Sequence, residues 1–204
     1  MKNLVLMEPH SFTCMAIRAL IPEDVKVKGA LKGFPPLQSM LDAEMIDILV
    51  MEIYDTNLFP MDGIDFIRHN SQHWNNVTLI VCTDVDNIFL IRELMKCKAR
   101  VLISKKDGLE CIKHAINKGM TGDYYCSPHL LSVVNSDDNA LSLTSSELRV
   151  MSLLLNNNTP VEISEHLGVS YKTVQTHKRN VMQKLGARNS FGLLKIGYQY
   201  KVKL

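Results

Sequence analysis

Side chains able to bind DNA are concentrated in one predicted helix, from Tyr171 to Leu185. One side of this helix carries lysine, arginine, amide and hydroxyl groups, at Lys172, Gln175, Thr176, Lys178, Arg179 and Gln183. Arginine donates two hydrogen bonds to guanine, glutamine pairs in the same way with adenine, and lysine neutralises phosphate. The same residue types also suit the solvated face of an ordinary bundle helix. Their chemistry alone leaves both interpretations open.

The other side of this helix is apolar, and a turn precedes it. Four residues share the apolar face: Val174, Val181, Met182 and Leu185. Such a stripe is typical of a helix packed on a small core. A short helix is predicted from Pro160 to Leu167, followed by a tight turn at Gly168 and an N-cap at Ser170. The pattern is that of a helix-turn-helix.

Two further helices complete a predicted four-helix domain. Thr144 and Glu147 have the spacing of a capping box, which starts a helix that runs to about Leu155. Residues 156–158 are all asparagine and form its predicted cap and turn, because asparagine tolerates the left-handed conformation. A last helix is predicted from Ser190 to Tyr200.

The charge of the chain is divided unevenly. The 204 residues carry a net charge of +2, but residues 141–204 contain nine basic and three acidic side chains, a net charge of +6. Residues 1–140 hold the other 14 basic and 18 acidic side chains, a net charge of −4. A basic module beside an acidic one favours DNA binding over a merely solvated helix face.

The basic region resembles the C-terminal effector domain of the NarL/LuxR family. The residues that match the family pattern are Leu143, Thr144, Glu147, Val150, Met151, Glu162, Ile163, Leu167, Ser170, Thr173, Val174, His177, Asn180, Lys184, Leu185 and Gly186. The family's usual glycine after the first helix is Asn157 here. The resemblance implies a packing or backbone-contacting role for His177, rather than catalysis or metal binding.

The resemblance also implies roles for the polar side chains of the third helix. It places three residues at base-facing positions: Gln175, Thr176 and Arg179. It places four residues near the phosphates: Lys172, Thr173, Lys178 and Lys184. Double-stranded DNA is therefore the expected partner.

The first half of the chain alternates apolar runs with amphipathic segments. Continuous apolar runs, typical of strands buried on both faces, occupy residues 3–7, 47–51, 78–82 and 100–104. A weaker strand is predicted from Val25 to Leu31. The predicted helices between the strands are Phe12–Leu20, Pro36–Met45, Gly63–His69, Ile88–Cys97 and Leu109–Lys118. This alternation predicts a parallel, doubly wound α/β sheet with function at the carboxyl ends of its strands.

The alternation fades after Gly119, where glycine, serine, aspartate and asparagine become frequent. We therefore predict three parts of the chain. They are a first domain over residues 1–122, a linker over residues 123–139, and a helix-turn-helix DNA-binding domain over residues 140–204.

The first domain resembles the receiver of response regulators, which is a five-stranded flavodoxin-like fold. That family needs adjacent acids for Mg²⁺ after the first strand and an acceptor Asp after the third. It also needs a Ser or Thr after the fourth strand and a Lys after the fifth. The corresponding residues here are Glu8, Pro9, Glu52, Thr83 and Lys105. Pro9 offers no side-chain ligand and Glu52 replaces the acceptor, so we expect a degenerate pocket without ordinary phosphotransfer.

Glu52 itself leaves two interpretations open. In the first, its carboxylate stands where an aspartyl phosphate would lie and holds Lys105 and Thr83 in the phosphorylated arrangement, so the domain is permanently active. In the second, the pocket is inert and the domain serves only for dimerisation. An ion pair between Glu52 and Lys105 suits either interpretation.

The predicted loop from Glu52 to Gly63 is longer than is usual in receivers. In this respect the chain resembles capsule regulators of the Rcs type and their auxiliary partners. The resemblance implies control of surface structures such as capsule or fimbriae, and pairing with another regulator. A loop insertion without functional meaning explains the length equally well.

Other function classes find little support in the chain. The five cysteines are scattered without a CxxC pair, which suits a reducing cytoplasm. No apolar stretch approaches the roughly 20 residues that cross a bilayer. No dinucleotide-binding, P-loop or nucleophile-elbow motif is present. We expect a cytoplasmic protein, not associated with a membrane, that is not an enzyme and needs neither a metal nor a cofactor.

These patterns predict a transcription regulator that binds a two-fold promoter site as a homodimer, without aspartyl phosphorylation. A dimer is expected because one short helix reads only a few base pairs. The alternative is an auxiliary interaction protein that forms a heterodimer with another response regulator and binds DNA poorly alone. A DNA-binding regulator should lose DNA affinity steeply as salt concentration rises, and this distinguishes it from the auxiliary interaction protein.

Overall fold

The computed structural model describes residues 1–56, 60–74, 76–86, 88–97, 99–135, 143–184, 187 and 189–194. The chain divides into two compact units, Met1–Ser136 and Asp137–Leu204. None of the helices in the described part of the chain combines the length and apolarity needed to span a membrane.

The first unit is a parallel sheet whose successive strands are joined by helices. Its strands are β1 (Lys2–Met7), β2 (Val25–Leu31), β3 (Ile48–Met51), β4 (Thr78–Thr83), β5 (Val101–Ser104) and β6 (Tyr125–Cys126). Its helices are α1 (Ser11–Ala19), α2 (Phe34–Ala43), α3 (Pro60–Asn70), α4 (Ile88–Lys96), α5 (Leu109–Thr121) and α6 (Pro128–Asn135). The strand order is β2-β1-β3-β4-β5-β6, and all neighbouring strands are parallel. The predicted doubly wound α/β fold is confirmed.

The apolar runs form the central strands because helices cover both faces of the sheet. Every residue of β3 and of β5 is buried. One core cluster is built around alternate strand residues: Leu4, Leu6, Ile48, Val50, Ile80 and Ile103. Burial on both faces accounts for continuous apolar runs rather than alternating ones. The parallel order brings the carboxyl ends of β1, β3, β4 and β5 to the same edge.

The first unit has a sixth strand and a sixth helix that were not predicted. They lie within residues 123–139, for which a linker was expected. The backbone N–H of Tyr125 donates to the Arg100 carbonyl at 3.0 Å, and that of Ser127 donates to the Leu102 carbonyl at 2.9 Å. Leu130 of α6 is fully buried. Residues 125–135 are therefore part of the first unit, and residues 136–139 of the predicted linker lie outside the described residues.

The loop after β3 ends in a close backbone contact. Gly63 donates its N–H to the Ile53 carbonyl at 3.0 Å. A Cβ at Gly63 would lie only 2.1 Å from that carbonyl oxygen, so only glycine fits. Residues 57–59, in the middle of the loop that the sequence predicts to be unusually long, lie outside the described residues.

The second unit contains the predicted helix-turn-helix. Its helices are α7 (Ser145–Leu155), α8 (Pro160–Leu167) and α9 (Tyr171–Lys184). Residues 190–194 are also helical, and the rest of the predicted last helix, to Tyr200, lies outside the described residues. The predicted ends of the third helix, Leu185 and Gly186, also lie outside them.

Local chemistry determines where these helices begin and end. The predicted capping box is confirmed, since Glu147 N–H donates to Thr144 Oγ1 at 3.3 Å and Thr144 N–H donates to Glu147 Oε2 at 2.8 Å. Asn157 and Gly168 both have a φ of 63°, so the left-handed turns expected after α7 and α8 are present. The turn at Asn157 connects α7 to α8, and the turn at Gly168 sets the direction in which α9 leaves α8.

Candidate nucleic-acid interface and receiver pocket

The apolar face of α9 packs against α7 and α8. Val174 and Val181 are fully buried. Val174 belongs to a core cluster with Val150 and Leu153 of α7 and Ile163 of α8. This packing fixes the rotation of α9 about its axis and leaves the opposite face outward.

The outward face of α9 is an exposed polar stripe. Lys172, Thr176, Arg179 and Gln183 are all exposed. Their spacing of four, three and four residues places them in a line along one face. Within the described part of the chain, neither Lys172 nor Arg179 forms an ion pair, and the same holds for half-buried Lys178. Their charges are therefore not neutralised by described neighbours.

Two hydroxyls at predicted DNA-contacting positions are already used within the helix. Ser170 Oγ accepts from the Thr173 N–H at 3.1 Å and lies 2.8 Å from Thr173 Oγ1, so this pair caps the start of α9. Thr176 Oγ1 donates to the Lys172 carbonyl at 2.9 Å. Thr176 thus retains a methyl group and an acceptor for an outside partner, but not its hydroxyl hydrogen.

The predicted phosphorylation-pocket residues meet at the carboxyl edge of the sheet. Glu8 follows β1, Glu52 follows β3, Thr83 ends β4 and Lys105 follows β5. The Nζ atom of Lys105 lies 2.6 Å from Glu8 Oε2 and 2.7 Å from Glu52 Oε2. Both carboxylates are 1% exposed. One ammonium group therefore bridges two buried carboxylates.

Each of these carboxylates also accepts hydrogen bonds from its own strand end. The Ile53 N–H donates to Glu52 Oε1 at 2.7 Å, and the His10 N–H donates to Glu8 Oε1 at 2.9 Å. Thr83 Oγ1 accepts a hydrogen bond from the Val85 N–H at 3.1 Å. The carboxylate of Glu52 thus holds Lys105 and lies in the same pocket as Thr83.

Burial changes the ionisation of the pocket. Burial raises the pKa of Glu52 to about 7, although Lys105 and the hydrogen bonds from Thr83 and Ile53 act in the opposite direction. For Lys105, burial lowers the pKa, but attraction to Glu52 and Glu8 outweighs it and the pKa is raised overall. Lys105 therefore stays charged, while Glu52 titrates near neutral pH.

The pocket does not fit the Mg²⁺ ion of ordinary receivers. Pro9 has no side-chain oxygen, and Lys105 Nζ bridges the Glu8 and Glu52 carboxylates that would otherwise serve as ligands. Across the described residues, no group of three His, Cys, Asp or Glu side chains is arranged to hold a metal.

Comparison with known families decides the nature of the second unit. Residues 141–196 match the family model described as bacterial regulatory proteins, luxR family. The C-terminal unit is a LuxR-family domain. The buried face of its α9 and the exposed stripe opposite agree with that assignment.

Two curated relatives match nearly the whole length of the chain that carries this LuxR-family domain. The Fimbriae Z protein of Escherichia coli (strain K12) is 22% identical over 208 residues, covering 98% of this chain and 98% of its own. The DNA-binding transcriptional activator EvgA of Escherichia coli (strain K12) is 24% identical over 205 residues, covering 98% of this chain and 99% of its own. With the family match, these similarities make the chain a DNA-binding transcription regulator of the LuxR and response-regulator type.

Solved structures of RcsB share the fold. RcsB from Salmonella enterica serovar Typhimurium, bound to promoter rprA in the presence of phosphomimetic BeF3-, gives a TM-score of 0.76 at 21% identity and covers 97% of this chain and 99% of its own. A structure of two RcsB dimers bound to two parallel DNAs gives 0.60 at 21% identity and covers 98% of each chain. The predicted combination of a receiver-like α/β unit and a LuxR-type domain is confirmed.

One predicted phosphate-contacting residue of the LuxR-family domain has an internal partner. Lys184 Nζ lies 2.7 Å from Glu147 Oε2, and the Glu147 side chain is only 4% exposed. Burial alone would raise the pKa of Glu147, but hydrogen bonds from Lys184 and Thr144 outweigh it, and the pKa is lowered. Lys184 therefore connects the end of α9 to the start of α7.

Sequence reasoning missed Tyr171 at the start of α9. Its side chain is 52% exposed, and its hydroxyl accepts a hydrogen bond from Gln175 Nε2 at 2.8 Å. The signal was available in the sequence, since an aromatic residue four positions before Gln175 lies on the same helix face.

Proposed function

We propose that the protein binds two-fold DNA sites as a homodimer through α9, independently of aspartyl phosphorylation. The exposed stripe of α9 supports this most directly, because it presents Lys172 and Arg179 without described ion-pair partners. Unneutralised cations beside a buried apolar face are what a helix in a DNA groove requires.

The residues of α9 receive separate roles in this proposal. Gln175, Thr176 and Arg179 face the bases, and Arg179 is the strongest reader because its guanidinium matches guanine O6 and N7. Lys172 and Lys178 neutralise phosphates, and Thr173 lies beside them. Tyr171 has a supporting role in this proposal, because its hydroxyl accepts a hydrogen bond from the Gln175 amide and so orients it.

Dimer formation is supported by the size of the contact and by a relative. One helix reaches only a few base pairs, so two copies on half-sites about one helical turn apart are expected. RcsB, which shares this fold, has a structure with dimers bound to DNA. The two-fold site and the homodimer are therefore proposed together.

The receiver pocket supports independence from phosphorylation. Glu52 replaces the acceptor Asp, and its carboxylate already holds Lys105, with Nζ at 2.7 Å from Oε2. We take the Glu52 carboxylate as a stand-in for the phosphoryl group rather than as an inert remnant. Control of surface structures such as fimbriae or capsule is part of the proposal, supported by the similarity to the Fimbriae Z protein.

The experiment is a selection of genomic DNA fragments by the purified, unphosphorylated full chain near physiological salt. Enrichment of one two-fold site, bound by two chains per site, is expected. A variant with Lys172→Ala and Arg179→Ala should lose the enrichment. A matched variant with Arg18→Ala and Lys113→Ala, which removes two exposed charges from the first unit, should retain it.

Two results would contradict the proposal. If fragments are enriched only when a second regulator is added, the homodimer is wrong and the heterodimer interpretation takes its place. If acetyl phosphate increases the enrichment and mass spectrometry finds a phosphoryl group on the first unit, independence from phosphorylation is wrong.

A further inference from the structure

A cavity of about 530 Å³ opens at the amino-terminal edge of the sheet, away from the receiver pocket. Residues before or at the starts of β4, β5 and β6 line it, together with residues that follow α3 and end α4. The main lining residues are Trp74, Val77, Leu79, Met95, Arg100 and Tyr124. Because the strands are parallel, this edge is opposite to the one where Glu52 and Lys105 lie. The volume falls within the range of small-molecule sites.

Apolar side chains form one part of the cavity wall and are packed from behind, and the polar groups of Ser71, Arg100 and Tyr124 form the rest. The Trp74 ring packs against Phe66 with a centroid distance of 5.7 Å, and Phe66 stacks on Phe34 at 5.1 Å. Leu79 is 2% exposed, and Met95 at the rim is 40% exposed. A backed indole ring beside aliphatic side chains suits a flat, apolar ligand.

Arg100 provides the charge of the cavity and is anchored in the sheet. Its backbone N–H donates to the Leu79 carbonyl at 2.9 Å, and its carbonyl accepts from Tyr125 N–H at 3.0 Å. Its guanidinium lies 4.7 Å from the centre of the Tyr124 ring and donates to the Gly122 carbonyl at 3.4 Å. No acidic side chain is among the described residues that line the cavity, and Arg100 forms no ion pair with a described residue.

We propose that this cavity binds a small planar anion, an aromatic ring system that carries one acidic group. The ring system would lie against Trp74 and the aliphatic wall, and the acidic group would accept hydrogen bonds from the free donors of Arg100. Such a ligand would contact Tyr124, which directly precedes β6.

Trp74 makes the proposal directly testable, because it is the only tryptophan in the chain. The ¹⁵N-labelled full-length protein has a single indole N–H signal, which reports on the cavity wall. The probe is 8-anilino-1-naphthalenesulfonate, and its neutral analogue N-phenyl-1-naphthylamine lacks only the sulfonate. The anionic probe is expected to shift the Trp74 signal saturably with one molecule per chain. The neutral analogue is expected to bind about tenfold more weakly, because it loses the charge-assisted contact.

Two variants of lining residues and one control variant locate the binding. Arg100→Gln should reduce affinity for the anionic probe by about tenfold and leave that for the neutral analogue unchanged. Arg18→Gln removes an exposed arginine from α1 and should change neither. Met95→Glu places a carboxylate at the rim and should weaken the anionic probe specifically, which keeps the test valid if Arg100→Gln does not fold.

The proposal is overturned if the anionic probe binds the protein but the indole N–H signal of Trp74 does not shift. It is also overturned if both probes bind equally, or if folded Arg100→Gln or Met95→Glu binds the anionic probe as the unchanged protein does.

Discussion

The two regions that concentrate charge in this protein use it in opposite ways. In the receiver pocket, Lys105 is 13% exposed and bridges two carboxylates that are almost completely buried. On α9, Lys172 and Arg179 are exposed and have no ion-pair partner among the described residues. The pocket pairs its charges internally, whereas the two cations of the helix have no ion-pair partner among the described residues.

This difference shows why similar residue types serve different purposes. A buried charge must be paired, because leaving it alone in a low-dielectric interior is costly. An exposed lysine is well solvated and becomes valuable when it displaces counterions from DNA. Breaking the pocket should therefore cost stability, and breaking the helix face should cost binding.

The largest expected effect follows from Lys105→Met. It leaves the Glu8 and Glu52 carboxylates buried together without a cation, so the first unit should lose about 3–5 kcal/mol of unfolding free energy. The loss should be greater at pH 8 than at pH 5, where protonation relieves the repulsion. Urea unfolding followed by Trp74 fluorescence measures it. Lys172→Met is the matched control, expected to change stability by less than about 0.5 kcal/mol; similar losses in both variants would refute the contrast.

The next effect is a pH dependence caused by Glu52. Its pKa is 4.5 as an ordinary glutamate and about 7 in the pocket, so the folded state binds the extra proton between these values. The unfolding free energy of the first unit should therefore fall as pH rises through this window, by at most about 3 kcal/mol, and level off above it.

Glu52→Gln should flatten this dependence, and Glu23→Gln, at an exposed position, should leave it intact. Urea unfolding at several pH values gives the slope. A slope that persists in Glu52→Gln would assign the titration to another group. If Glu52→Gln binds DNA with unchanged affinity, Glu52 does not act as a stand-in for the phosphoryl group.

Arg179→Ala should have an intermediate effect, confined to DNA recognition. We expect a loss of about 1–3 kcal/mol on the specific site and a relaxed base preference, because a bidentate contact to guanine is removed. Fluorescence anisotropy with specific and random duplexes measures both. If affinity for random DNA falls equally, Arg179 contacts phosphate and not a base.

The smallest expected effect is a change in the salt dependence of DNA binding. It distinguishes Lys172 from Lys184, which the sequence predicts to be phosphate contacts alike. Lys172→Met should lower the slope of log affinity against log salt by about 1, since one phosphate contact is lost. Lys184→Met should leave the slope unchanged, because its charge is directed to Glu147, and should instead cost the second unit roughly 1 kcal/mol. If Lys184→Met lowers the slope of log affinity against log salt, Lys184 contacts a phosphate, as the sequence predicts.

Local patterns in the chain predicted most of the two units. The apolar runs identified β1, β3, β4 and β5 because strands buried on both faces need continuous apolar side chains. The capping box at Thr144 and the left-handed turns at Asn157 and Gly168 were predictable because each depends on residues close together in sequence.

The rest depended on contacts between distant residues. β6 has only two residues and exists because β5 offers a free edge, so no periodicity revealed it. The partner of Lys184 is Glu147, 37 positions away, and spacing along α9 cannot show it.

The sequence by itself determined which residues stand at the strand ends and on the outer face of α9, since strand and helix periods place them there. Only the tertiary structure decided how those side chains are paired. It joined Glu8, Glu52 and Lys105 into one ion-paired cluster, and it placed Lys172 and Arg179 where no described residue forms an ion pair with them. The physical reason is that the pairing and solvation of a charge depend on neighbours brought by the fold, which a linear pattern does not contain.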